Sequence, residues 1–387
     1  MTRLTISITL AVLFGVGSLA AQAPDVSTGE MPDPIGGRVK GFSGLGTRSG
    51  EFLSIPTSAR GMAVGEAWTA AADDIGSIFW NPAGLGFLDS PSFQFTNLNL
   101  TLDFSYNYLA GAVPIKDGVV ILGGFFGMLT TNPIEITTIP NPQGTGSYYD
   151  FYTSVIGGTV AYNISDRFSA GANLKWAHED IWDINANAFA MDLGANYHTE
   201  FMGKNIRFAL AVQNLGTNLK YGGKRLFEEL PPEDEFGIQQ GFGGILHPER
   251  SKRYGSRQTT TYSLPTVFRI GLCCDILEAE HQSLRISGDF LQPNNLDVTY
   301  AAGAEYTRYV GEGYMAALRF GWKFRPDEMD VKDDQGTVLS EKSSYRGLAV
   351  GGGFGHDFVA FKLAVDYTYS HQGLLGNWQL ISLNISL

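Results

Sequence analysis

The feature that most constrains this chain is a period of two that starts near Phe93 and runs to Leu387. Val359, Phe361, Leu363, Val365, Tyr367 and Tyr369 alternate with Ala360, Lys362, Ala364, Asp366, Thr368 and Ser370. Ile206, Phe208, Leu210 and Val212 alternate with Arg207, Ala209, Ala211 and Gln213, and Phe189, Met191, Leu193 and Tyr197 with Ala190, Asp192, Asn196 and His198. Successive side chains of a strand point to opposite faces, so each segment has one apolar and one polar face. A helix would scatter the same residues around its circumference.

Fourteen segments read as strands, spanning about 91–100, 101–113, 118–128, 149–164, 167–179, 187–199, 204–215, 261–273, 283–291, 299–308, 313–324, 344–355, 358–370 and 378–387. In the first two the phase slips around Thr96, and "VVILGGFFGM" in the third is apolar on both faces. A soluble sandwich and a membrane barrel both alternate, so composition and loop lengths must decide. The chain has 48 Gly, 25 Phe and 17 Tyr but only 17% charged residues. Gly and aromatics in short alternating segments suit a closed barrel with lipid outside and water inside. Beyond the N-terminus no run approaches the ~18 apolar residues of a spanning helix. Counted back from Leu387, the even-numbered connections are short ("PIKD", "SD", "EFMG", "DILEAEHQS", "YVGEG", "GH"). After the first, the odd-numbered ones are "LTTNPIEITTIPNPQGTGSYY", "EDIWDIN", Gly216 to Thr260, "QPNNLDV", "RPDEMDVKDDQGTVLSEKSS" and "HQGLLGN". Barrels of bacterial outer membranes have this rhythm, with the short turns on the periplasmic side. Ile381, Leu383, Ile385 and Leu387 place a strand at the very end, where it can close onto the first; Leu387 stands where such proteins commonly carry an aromatic residue.

Residues 1–23 read as a secretory signal peptide: Arg3, an apolar run from Ile6 to Ala21, and a small-residue site closing at Ala23. That segment holds one basic residue and no carboxylate, so its removal moves the formal charge from -12 to -13. Such a balance argues against nucleic acid as a partner. Residues 24–90 form a second region, an N-terminal segment and hatch, and residues 91–387 the barrel. "SARGMAVGEAWTAAADDIGSIFW" is rich in Ala and Gly and reads as two short helices or turns. Phe52, Leu53, Ile55, Met62, Trp68, Ile78, Phe79 and Trp80 have no core of their own to join, so the barrel lumen is their host. Asn81-Pro82 ends the second helix, because the residue before a proline is pushed out of the helical region.

The run Phe52 to Leu88, "FLSIPTSARGMAVGEAWTAAADDIGSIFWNPAGLGFL", resembles the N-terminal signature of the PorV/PorQ family, which belongs with the FadL-like outer-membrane barrels. The matching positions are Ala59, Arg60, Asp73, Asp74, Ser77, Trp80, Asn81, Pro82, Ala83 and Gly84. The resemblance implies a fourteen-stranded barrel plugged by an N-terminal hatch. It further implies either a type IX secretion component that binds exported proteins or an uptake channel for hydrophobic compounds. Secretion carriers of the family tend to have Asp where this chain has Ser58 and Lys where it has Gly84.

Little else in the chain points to chemistry. Asp73 and Asp74 could serve as an acid/base or metal pair, but without His or Cys nearby they read as partners of basic lumen residues. His178, His198, His247, His281, His356 and His371 are scattered, so neither a hydrolase triad nor a zinc site has a basis. Cys273 and Cys274 are adjacent on a strand and point apart, which excludes a disulfide and a metal pair. Gly347 to Gly355, "GLAVGGGFG", lies in a strand with no following helix and is not a phosphate loop. Lys175, Arg207, Arg269, Arg285, Asp289, Arg319, Lys362 and Asp366 fall on polar faces. They read as a self-neutralising network gripping the hatch, with a polar conduction path as the competing account. The segment Gly216 to Thr260 alternates basic and acidic blocks and reads as an outer surface loop where a cargo protein could dock.

The reading is a non-enzymatic, all-β outer-membrane barrel without cofactor or metal, its partners lipid and, through outer loops, exported cargo proteins or other secretion components. Secretion leads, uptake of hydrophobic small molecules is the rival, and a structural porin would leave the hatch unexplained.

Overall fold

In a computed structural model of the chain, residues 48–101, 103–230, 253–296, 298–311, 313–325, 331–332, 338–340 and 346–387 are described. The expected signal peptide and most of the N-terminal segment therefore lie outside the described residues, as does the middle of the Gly216 to Thr260 loop. The described residues fall in two units. One contributes only a short antiparallel ladder between Val331–Lys332 and Val338–Ser340. The other holds the barrel and its hatch.

Fourteen antiparallel strands build the barrel: β1 Ser92–Asn99, β2 Ser105–Ile115, β3 Val120–Thr130, β4 Phe151–Ser165, β5 Phe168–Ile181, β6 Ile184–Phe201, β7 Lys204–Gly216, β8 Val267–Ala279, β9 Gln282–Pro293, β10 Thr299–Val310, β11 Tyr314–Phe324, β12 Leu348–Asp357, β13 Lys362–His371 and β14 Asn377–Ser386. Each pairs with its neighbours in sequence, and β1 closes on β14 from Ser92↔Ser386 to Asn99↔Gln379. Closure removes the unpaired edges of the ring.

Burial is inverted relative to a soluble protein. Leu174, Phe189, Leu318, Phe320 and Phe354 are all more than half exposed, whereas Lys175, Arg207, Arg269, Asp289, Glu305, Arg319 and Asp366 are buried. Such an exterior fits lipid, and the charges face inward. Phe290, Tyr300, Phe324 and Trp322 stack in a row across β9 to β11 near one end, and Tyr314, His356, Phe358 and Phe361 cluster at the other. Aromatic girdles of this kind border the apolar band of membrane barrels.

The strand count matches the sequence expectation, with local corrections. The phase of β1 does not slip: Thr96 and Leu98 face inward and Asn97 faces outward, donating to Asn107 at 2.8 Å. β3 is apolar on both faces because Ile121 and Phe125 meet an apolar part of the hatch while Leu122 and Phe126 face outward. "EDIWDIN" is no long loop, since β5 and β6 run on and leave only Trp182 and Asp183 between them. β8 lies six residues later than expected and consumes most of "DILEAEHQS". A bulge between Asp275 and Leu277 breaks its period.

The outer excursion between β7 and β8 is more than a surface loop. Gly222–Gly223 pair with Asn185 and Ile184 of β6, Leu219–Lys220 pair with Thr261–Tyr262, and Leu219 and Leu264 are buried. The ends of the excursion thus complete the wall.

The hatch threads the barrel from end to end. Arg48 bridges to Ser263 at the end bearing the long connections, here the loop end. Leu88 lies four residues before β1, which begins at the opposite, turn end. Between them come a 3-10 turn at Glu51–Ser54, helix α1 Ala59–Ala63, helix α2 Ser77–Trp80 and a 3-10 turn at Pro82–Phe87. Asn81 is extended and accepts the Ala83 N–H at 3.1 Å, capping the last turn with Pro82 as its first residue.

Candidate functional site

Small residues let the hatch approach the wall at backbone distance. A Cβ on inward-facing Gly171, Gly194, Gly271, Gly303, Gly321 or Gly351 would strike hatch atoms of Pro82, Asn81, Ala70, Val64 or Ala63. The wall glycines are notches, and the hatch signature fills two of them: Pro82-Ala83 sits at Gly171 of β5 and Asn81 at Gly194 of β6. The Asn81 amide also donates to the Thr69 and Ala195 carbonyls, at 3.0 and 3.3 Å. Ser169 donates to the Ala83 carbonyl and Asn163 to that of Gly86, both at 2.9 Å. Ser77, Trp80, Ala83 and Gly84 are buried in this packing, and Ala59 donates its N–H to Ser382 at 2.9 Å.

The charged residues converge near the turn end. Arg60 reaches Asp73 at 2.8 Å, Asp74 at 2.9 Å and, through Nε and Nη2, both oxygens of Glu305 on β10. Asp73 meets Arg285 of β9 at 2.6 Å and Arg207 of β7 at 3.5 Å. Arg319 joins Glu305 to Asp366, each at 2.6 Å. Deeper in the lumen, Glu66 of the hatch pairs with Arg269 of β8 and Lys323 of β11, at 3.6 and 2.7 Å. Asp289 accepts the Thr69 N–H at 2.9 Å. Among the described residues, every ion pair between hatch and wall falls on β7 to β11.

The two adjacent aspartates diverge. Burial alone would raise Asp73, but Arg285, Arg60 and Arg207 outweigh it and hold its carboxyl below the usual carboxylate range. Burial raises Asp74, with Asp73 adding to the effect and Arg60 opposing it. The two carboxyls are thus shifted in opposite directions from a common ordinary value.

Two recesses open at the turn end over this lattice. One of about 510 Å³ is lined by Arg60, Asp74, Tyr309, Tyr314, His356 and Lys362, and one of about 540 Å³ by Phe87, His198, Arg207, Asp275 and Glu278. Asp73 and Arg285 border both. Lys362 corrects the expected network: it lies at the rim with 70% of its side chain exposed and, among the described residues, pairs only with Asp357, at 3.3 Å. Lys175 stands apart on the other side, paired with Asp192 at 2.7 Å.

On the part of the wall formed by β2 to β4 the interface is largely apolar, the bond from Asn163 to Gly86 apart. Leu53, Ile78 and Phe79 of the hatch face Tyr106, Tyr108, Phe125 and Val155 across a 20 Å³ cavity whose far edge is Lys175 and Asp192. It has room for about one water. The hatch is thus clamped by ion pairs on β7 to β11 and seated on a largely apolar seam on β2 to β4.

Several partners escaped the sequence reading. Glu305 and Lys323 lie in phase on strands that were recognised, so the alternation could have given them. Gln213 and Asn214 both turn inward because a bulge places them opposite Asp192, with Asn214 in the left-handed region at φ 58°. Gln213 then donates to the Phe79 carbonyl and accepts from Arg269 at 2.8 Å. Nothing in the local pattern announces that bulge. Among the described residues no group of three or more His, Cys, Asp or Glu is placed to hold a metal.

No protein-family model and no curated protein matches the chain. Among solved structures, the toluene transporter TodX of Pseudomonas putida is similar with a TM-score of 0.51 at 10% identity, covering 85% of this chain and 96% of that one. A FadL homologue of Pseudomonas aeruginosa gives 0.47 at 13% identity, covering 89% and 99%. The toluene transporter TbuX of Ralstonia pickettii gives 0.48 at 10% identity, covering 85% and 96%. At such identities the likeness is one of fold, that of a FadL-like fourteen-strand barrel.

Proposed function

We propose that this protein is a hatch-gated outer-membrane channel that passes hydrophobic small molecules, with the turn end in the periplasm. The observation that carries this reading is the unequal attachment of the hatch. Ion pairs pin it to β7 to β11, while on the β2 to β4 side the described contacts include no ion pair and are mostly apolar and aromatic around a small cavity, with the Asn163 bond to Gly86 at its turn-end margin. Parting that seam breaks no ion pair and exposes Tyr106, Tyr108, Phe125 and Phe79, a surface suited to an apolar passenger. Likeness in fold to a toluene transporter supports the same class of cargo.

The test locks the seam. A Cβ at position 123 lies 3.5 Å from the Ile78 side chain, so Ile78→Cys with Gly123→Cys, in a Cys273→Ser/Cys274→Ser background, can be joined by a short bis-methanethiosulfonate crosslinker that reductant cleaves. Uptake of labelled toluene should stop on crosslinking and resume when a cleavable linker is cut. Uptake unaffected by the crosslink rules out passage along the seam.

A second reading follows from the seating of Asn81, Pro82 and Ala83 in glycine notches, which suits a hatch that never moves. The outer surface would then be the working part, as in a PorV/PorQ-like type IX secretion component that binds exported proteins. Copurification of exported proteins, lost when residues 231–252 are removed, supports this alternative; that deletion spares the Tyr221 and Gly222–Gly223 contacts.

A further inference from the structure

The loop-end entrance is crossed by a strap, Arg48 to Ile55, and two of its polar contacts meet at one wall residue together with a third from the outer excursion. Glu179, inward-facing near the end of β5, accepts the Ser49 hydroxyl at 2.9 Å and the Gly50 N–H at 3.1 Å. Its carboxylate also accepts the hydroxyl of Tyr221, which is itself within hydrogen-bond reach of Ser49. Tyr221 belongs to neither hatch nor barrel: it sits in the outer excursion between β7 and β8. It is braced there by Thr259, whose hydroxyl donates to the Tyr221 carbonyl at 2.7 Å. The excursion also packs on the strap through Leu219 and Leu264, which crowd Gly50. Gly50 has φ 81°, a conformation a side chain resists, and a Cβ would lie 3.0 Å from Leu264. Three residues along, Leu53 lines the seam cavity.

We propose that Glu179 couples the outer excursion to the strap, so that displacement of the excursion from outside loosens the strap and with it Leu53, the loop-end lip of the seam. This rests on the channel reading for its purpose but not for its mechanics. With Tyr221 in place, the carboxylate holds strap and excursion together. Once Tyr221 is drawn away, the strap keeps Ser49 and Gly50 on Glu179 but loses the second hydroxyl and the packing of Leu219 on Gly50.

Hydrogen exchange of the strap amides in the full-length protein reads the coupling directly. The Leu53 N–H bonds to Gly50 and the Ile55 N–H to Phe52, so both report on strap order. Tyr221→Phe removes one hydrogen bond to a charged group and should speed their exchange about ten- to a hundredfold. Thr259→Ala leaves the hydroxyl and carboxylate in place but loosens the excursion, and should speed exchange in the same direction by a smaller factor. Heat-modifiable mobility of both variants should stay that of the folded barrel. Strap exchange at the parental rate in Tyr221→Phe overturns the coupling, and acceleration in Tyr221→Phe alone overturns the role of the excursion. Toluene uptake is measured separately: if the parent carries none while exchange responds as described, the channel reading fails and the coupling stands.

Discussion

Gly271 and Gly288 sit side by side in the wall, one on β8 facing the hatch and the other on β9 facing out, and a methyl group added to each should have opposite effects. At Gly271 the new Cβ would lie 2.7 Å from the Ala70 nitrogen and 2.9 Å from the Thr69 Cβ. Ordinary contact begins at 3.4 Å, so hatch and wall must part by about 0.7 Å, and the obstacle is backbone. Overpacking of this kind costs about 1–3 kcal/mol. Separation also strains the Thr69 N–H bond to Asp289, which pushes the loss to the upper half of that range. At Gly288 the nearest atom is the Ala301 carbonyl oxygen at 3.7 Å, and the methyl meets lipid. There the gain is the lost freedom of an unfolded glycine, about 0.5–1 kcal/mol in favour of Gly288→Ala. Reversible urea unfolding from lipid vesicles, followed by tryptophan fluorescence, measures both; Trp68 and Trp80 are fully buried in the hatch. If Gly271→Ala is as stable as the parent, or if both substitutions shift stability in the same direction, the notch account is wrong.

Leu318→Arg on β11, where the leucine is 70% exposed on the apolar exterior, should cost about 2–4 kcal/mol in the same assay if lipid covers that face. A cost below 1 kcal/mol would mean that water does. The aspartate pair gives a prediction of sign. Asp73 titrates below its unfolded value, so its contribution is complete above the ordinary carboxylate pKa of about 4 and disappears only as pH falls through its lowered folded value. Asp73→Asn should therefore destabilise at pH 7, and its difference from the parent should shrink below about pH 4. Asp74 titrates above its unfolded value, so its folded form gains stability as pH falls toward about 4, and Asp74→Asn should be neutral or stabilising at pH 7. Urea midpoints from pH 7 to pH 3 test both, and destabilisation of equal size at the two positions refutes the division of roles.

How much of this was legible follows from where the period of two is strict. β13 and β14 alternate without interruption, and their faces and approximate bounds could be read directly. β8 could not be placed, because its bulge at Asp275 to Leu277 breaks the phase and the upstream Thr261–Tyr262 mimics a strand start before Pro265. The wall charges Arg207, Arg269, Arg285, Asp289, Arg319 and Asp366 were visible as polar-face residues, since each lies on a recognised strand. Their partners were not: which carboxylate meets Arg60 is fixed by the path of the hatch through the lumen, a property of the whole ring. Glu66 and Asp275 become site residues only once that path is known. The apolar inner face of β3 looked like a fault in the pattern for the same reason, because the surface it meets comes from Ile78 rather than from a second strand.

The direction in which the hatch runs also dictates an order of events. Its Arg48 end is at the loop mouth and its Leu88 end leads into β1 at the turn mouth, so the ring is threaded by the segment that precedes its own first strand. A ring closed first would have to be entered by a polypeptide carrying Arg60, Glu66, Asp73 and Asp74 through a lumen whose wall glycines already lie against the seated hatch with no room for a Cβ between them. A seam left open between β1 and β14 until those side chains have met their wall partners avoids that passage. Zipping Ser92 to Ser386 is then the last act of assembly, and a hatch that cannot seat should leave an unsealed sheet rather than an empty pore.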